Sequence, residues 1–184
     1  MRLMGGHMFI VAGILVGVAS AVGSIGVIGA SPVAPGNPWQ AWQISPNSRA
    51  QPYAMAHYLL EGRFPPATGQ MQEFTAQRSS DGGVLVAACT YVLVAQRAPT
   101  QWWSMAAISG SAVGLSVNFV QSSETAVAEP DGSLRIVVAR LPQPGNWLQA
   151  PQAGAFGLLY TVADSSAGLH PERPPAFTIE RRGC

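Results

Sequence analysis

No aspartate, glutamate, lysine or arginine stands between Arg2 and Arg49, and this uncharged block of 46 residues constrains the chain more than any other feature. Within it, residues 8–29 are twenty-two positions of almost wholly apolar and small side chains. As a helix rising 1.5 Å per residue they reach roughly 33 Å, enough for a hydrocarbon core of about 30 Å. A buried helix of that length in a soluble protein would carry a polar stripe, and none is present. Arg2 precedes the span and the next charge, Arg49, follows twenty residues after it. The positive-inside bias therefore predicts a cytoplasmic N-terminus over residues 1–7 and a domain on the far side of the membrane. A cleaved secretory signal has a shorter apolar run and a small-x-small site. Here a cut after Ala30 puts Ile28 at the third position back, and a cut after Ala34 is followed by Pro35. An uncleaved signal anchor over 8–29 is the expectation. Gly13, Gly17 and Ala21 form a small-residue stripe along it. Two such helices can associate through a stripe of this kind, although the same pattern arises by chance in glycine-rich spans.

Residues 30–47 hold Pro32, Pro35, Pro38 and Pro46 and read as an extended linker. Trp39 and Trp42 within it either sit at the membrane interface or cover the first apolar face of the domain. A short helix is predicted from Gln51 to Gly62, with Pro52 in its first turn and Gly62 before Phe64-Pro65-Pro66 at its end. Strand rhythm follows over about 70–78, 84–96, 102–109, 115–121, 124–128, 134–140, 155–163 and 176–182, broken by Asp81-Gly82-Gly83, Pro99, Asp131-Gly132, Pro142 and Pro144-Gly145. From Leu134 to Arg140, Leu134, Ile136 and Val138 alternate with Arg135, Val137 and Ala139, as in a strand with one well-buried face. Short strands without intervening helices predict an all-β domain over 48–184, an antiparallel sandwich or jelly roll with one short helix.

Composition narrows function mostly by exclusion. Charged residues are 10% of the chain, against about 25% in an average soluble domain. The net charge of +1 supplies no field for nucleic acid. His57, His170, Cys89 and Cys184 show no metal-ligand spacing, so neither a metal site nor a cofactor is expected. Ser109-Gly-Ser-Ala-Val-Gly114 does not place serine centrally in GxSxG and reads as a strand connection. Asp81 and Asp131 precede glycine as turn residues do, and Glu61, Glu73, Glu124 and Glu129 have no spacing that pairs them for acid–base work. No catalytic residue is assigned. Trp102 and Trp103 are neighbours in a predicted strand and so point to opposite faces. One should enter the core; the other, near Arg97 and Gln101, either is covered by a loop or forms a binding surface.

Several stretches together resemble the family called domain of unknown function 1214. In order they are Gln51-Pro-Tyr-Ala-Met-Ala-His57, Asp81-Gly82 leading to Cys89-Thr-Tyr-Val-Leu93, and Pro99 with Trp102-Trp103-Ser-Met. Asp131-Gly-Ser-Leu134, Gly145-Asn146-Trp147-Leu-Gln-Ala-Pro151, Pro174-Pro-Ala and Ile179-Glu-Arg181 complete the series. The resemblance runs from about Trp39 to Cys184 and is closest to short, membrane-anchored members of proteobacteria. It implies a jelly-roll-type sandwich and association with a sister domain of unknown function 1254, on one chain or as a neighbouring gene product. It implies no established reaction; some two-domain relatives have been regarded as candidate hydrolases, which names no catalytic residue here.

The resulting expectation is a single-pass protein of the bacterial inner membrane. Its periplasmic domain would act as a binding or assembly partner, with an envelope hydrolase as the alternative. In Pro144-Gly145-Asn146-Trp147-Leu148 a turn is expected, Asn146 bonding nearby backbone and Trp147 plugging the end of the sandwich. Cys89 and Cys184 are expected to pair in an oxidising compartment. The alternatives are two free thiols or a bond to another chain.

Overall fold

Alternation of apolar and polar side chains builds two sheets in the computed structural model, which describes residues 3–28, 30–32, 35–42, 51–66, 71–99, 101–111, 114–163 and 175–184. Pro46, His170 and Pro174 lie outside the described residues. The chain begins with helix α1 (Leu3–Ile28), whose residues from His7 to Gly23 are all exposed. Its stretch His7–Ile25 is long and apolar enough to cross a membrane. Strands β1 (Ala30–Pro32) and β2 (Trp39–Trp42) follow, then helix α2 (Gln51–Leu60) and strand β3 (Met71–Ala76). The remaining strands are β4 (Thr90–Ala95), β5 (Trp102–Ser111), β6 (Gly114–Ser122), β7 (Leu134–Ala139), β8 (Trp147–Gln149), β9 (Gly157–Ala163) and β10 (Phe177–Gly183).

One sheet has the order β1-β2-β3-β9-β5-β6 and the other β10-β4-β7-β8. All pairings are antiparallel except β7–β8, which is parallel. The fold is an all-β sandwich. Trp39, Phe74, Trp103, Met105, Leu158 and Tyr160 of the first sheet share one buried cluster with Tyr91, Leu93, Leu134, Ile136, Leu148 and Ile179 of the second. The period of two explains it: within each strand these residues lie two apart and point the same way. Leu134, Ile136 and Val138 are buried while Arg135 is exposed, as the alternation in that segment requires.

The structure corrects the sequence reading in four places. The stretch 30–47 does not serve throughout as a linker, because β1 and β2 form the outer end of the six-stranded sheet and Trp39 is 0% exposed. Residues 124–128 form no strand: the Thr125 and Ala126 amides both donate to the Ser122 carbonyl, and Ser122 and Thr125 hydroxyls compete locally for backbone partners. The run 84–96 is a strand only from Thr90; before it, Val84 and Val86 make isolated bridges to Arg78 and Ala155. The three residues Trp147–Gln149, expected within or beside a turn, form β8 alongside β7. Helix α2 ends as predicted. Gly62 adopts φ +67°, open to glycine at little cost, and lets the Arg63 amide donate back to the Tyr58 carbonyl at 2.9 Å.

Candidate functional site

Helix α2 and strands β2 and β3 together gather a polar cluster. Trp39 and Ala41 of β2 face the core, so Trp42 faces the opposite side. His57 of α2 stacks on the Trp42 indole with ring centroids 3.4 Å apart and planes 8° from parallel. One turn on, Glu61 Oε1 lies 3.2 Å from His57 Nε2. Arg63 then bridges two carboxylates, donating from Nε and Nη2 to Glu61 Oε2 at 3.0 and 2.6 Å and from Nη1 to Glu73 Oε2 at 2.9 Å. Its guanidinium also lies 5.0 Å from the centroid of the buried Tyr58 ring.

The electrostatics fit a clasp. Burial alone would raise the Glu61 carboxyl, but its close neighbours His57 and Arg63, the latter through two hydrogen bonds, hold it below its ordinary range. Burial, then the charge of Glu73, pushes the Tyr58 hydroxyl far above the usual phenol range. Glu61 is therefore ionised and a hydrogen-bond acceptor, unsuited to general-acid work. Because its folded-state pKa is depressed, its contribution to stability is complete above the ordinary value of 4.5 and disappears as pH falls below that through the folded value. Glu61→Gln should accordingly unfold at a lower urea midpoint than the parent at pH 7, with the gap closing in acid. A gap that did not narrow as the pH was lowered below 4.5 would contradict the assignment.

Spacing alone left Glu61 and Glu73 unpaired. Arg63 joins them by pairing with both, and the local signal is an arginine just beyond a helix stop. Among the described residues, no group of three His, Cys, Asp or Glu side chains is placed to hold a metal ion. Cys89 and Cys184 are joined in a disulfide. Asp81 and Asp131 are turn residues: Asp81 accepts from the Ser79 hydroxyl and the Gly83 amide, and Asp131 from the Ser133 amide.

The tryptophan pair divides as β5 demands. Trp103 is 1% exposed and meets Phe177 edge-on, whereas Trp102 is 42% exposed. Arg97 is exposed on the connection after β4, and Gln101 is half-buried just before β5.

In the Gly145–Pro151 motif, Asn146 reaches further than a local turn. Its Oδ1 accepts from the Val127 amide at 2.8 Å, and its Nδ2 donates to the Val127 and Arg135 carbonyls at 2.8 and 2.9 Å. Gly145 precedes it at φ +79°. Trp147 is not the expected plug. It is half-buried, its Nε1 donating to the Ala139 carbonyl at 3.0 Å and its ring 6.0 Å from Phe119, and Leu148 is the residue that is 0% exposed. Register decides this, since adjacent residues of β8 must face opposite ways. Pro151, also buried, follows. Leu148→Ala should cost about 2–5 kcal/mol, and Trp147→Ala less, as read from denaturant midpoints.

A sequence model of the family described as "Protein of unknown function (DUF1214)" matches residues 70–167, more than half of the chain. The chain belongs to the DUF1214 family. The matched stretch carries β3 to β9, including Trp102-Trp103 and the Gly145–Pro151 motif. No curated protein matches. Among solved structures, the VPA0106 protein from Vibrio parahaemolyticus is similar at a TM-score of 0.57 and 18% identity, over 74% of this chain and 36% of that one. An uncharacterised protein from Burkholderia cenocepacia is similar at a TM-score of 0.50 and 16% identity, over 75% of this chain and 44% of the other. These similarities concern the fold, and this DUF1214 chain spans less than half the length of either protein.

Proposed function

We propose that this DUF1214 protein is a membrane-anchored envelope protein whose sandwich domain, on the periplasmic side, receives a strand from a partner protein along β6. The observation that carries the reading is the character of the sheet edges. Proteins protect exposed edges by making them short or charged. Strands β1 and β8 are three residues each, and β10 carries Glu180, Arg181 and Arg182. Strand β6 ends its sheet with nine residues and no charge, and its Phe119 and Val120 are 52% and 51% exposed. Beside it, Phe119 lies against half-buried Trp147, and Asn146 holds the 73% exposed Val127 close to that tryptophan. Such an edge suits β-augmentation, in which backbone pairing supplies affinity and apolar side chains supply specificity.

The partner proposed is a protein carrying the sister domain of unknown function 1254. The hydrolase alternative finds less support, because Arg63 engages both Glu61 and Glu73. A periplasm-active reporter fused at the C-terminus tests orientation, and the mature mass tests retention of α1. A photoreactive amino acid replacing Val120, followed by isolation from solubilised membranes, should capture one discrete partner. An inactive reporter, a mass lacking the first thirty residues or the absence of any protein adduct would each defeat the corresponding element of the reading.

A further inference from the structure

We infer that the domain rests directly on the bilayer, with Leu59, Leu60 and Phe64 inserted at the boundary between headgroups and acyl chains; this rests on the reading of α1 as a retained anchor. The apolar stretch of α1 ends at Ile25, the helix at Ile28, and β1 starts at Ala30. Ala30 pairs with Trp42, so the proline-containing stretch returns as a hairpin to the point where it left the helix. Helical rise, two further residues of chain and one interstrand step put the Trp42 backbone at most about 17 Å beyond Ile25. His57 stacks on that tryptophan, and α2 packs against α1 itself. Helix α2 is thereby held at the membrane exit.

Its surface fits the location. Ala54 and Tyr58 are buried, whereas Leu59, Leu60 and Phe64 are 69%, 43% and 91% exposed even with α1 alongside. The two charges between them, Glu61 and Arg63, pair with each other, Arg63 also pairs with Glu73, and the His57 ring lies 3.2 Å from Glu61. The exposed side chains of the segment are thus apolar, and a charge already paired opposes transfer toward lipid less than a free one.

The test uses the full chain reconstituted in vesicles of phosphatidylethanolamine and phosphatidylglycerol, with p-benzoylphenylalanine replacing Phe64, Ile14 or Phe119 in separate variants. All three positions are more than half exposed, so the replacements spare the core. After irradiation, mass spectrometry should find lipid adducts at 14 and 64 and not at 119. Adducts at 14 with none at 64 overturn the inference and leave the anchor intact, as does a protein-only adduct at 64. Equal lipid capture at 64 and 119 also overturns it. No lipid adduct at 14 overturns the anchor reading on which the inference depends.

Discussion

Trp39→Ala should cost the domain about 3–5 kcal/mol through the lost volume, with roughly 1–3 more for the polar group it orphans. The indole is 0% exposed, tilts against Tyr160 with centroids 6.0 Å apart, and donates from Nε1 to the Phe177 carbonyl at 2.8 Å. Removing it opens a cavity between the sheets and strands an acceptor on β10. Against a typical total stability of about 5–15 kcal/mol, that loss brings the domain close to unfolding at room temperature. Trp39→Phe separates the two effects, keeping most of the packing and forfeiting the hydrogen bond. Its denaturant midpoint should fall between those of the parent and the alanine variant. If Trp39→Ala unfolds with the parent, β1 and β2 are not part of the sheet and the hairpin that places α2 beside α1 is wrong as well.

Breaking the disulfide should have an effect of similar size. Cys89 and Cys184 are separated by 95 positions, and chain-entropy arguments give a loop of that size about 4.6 kcal/mol, within the 2–5 observed when native bonds are removed. The bond sits beside the ladder it reinforces, since Gly183 pairs with Thr90. Cys89 is 4% exposed and Cys184 is exposed, so Cys89→Ala with Cys184→Ser avoids placing a new hydroxyl in the core. The double variant and the reduced parent should share one lowered urea midpoint. Equal midpoints for oxidised and reduced parent would show that the cross-link contributes nothing. A structural disulfide also favours an oxidising compartment over the cytosol, in keeping with the orientation proposed for α1.

What could be read from sequence was what depends on neighbours along the chain. The opposed faces of Trp102 and Trp103, the buried row Leu134, Ile136 and Val138, and the Asp-Gly turns all follow from a period of two or from local hydrogen bonds. What could not be read depends on partners far away in sequence. Trp39 finds its acceptor 138 residues on, and Arg63 pairs, besides nearby Glu61, with Glu73 on a separate strand. Trp147 and Leu148 are both apolar, and only the position of β8 against β7 determines which one is buried. Its prolines make the stretch 30–47 read as an extended linker, yet Pro32 and Pro38 lie at or beside short outer strands, where a missing amide is tolerated.

Strand order has a consequence for how the protein can be made. Strand β9, near residue 160, lies between β3 and β5, and β10, beyond residue 176, covers the edge of β4. As the polypeptide emerges, β3, β4 and β5 are synthesised long before the segments that complete their ladders. Until then their apolar faces and open edges have no native partner, and long-range pairings of this kind form slowly. A chain that cannot finish its sheets before its last third appears stays unfolded through most of its synthesis. Folding and cross-linking then become one late event, in which closure by β10 brings Cys184 to Cys89.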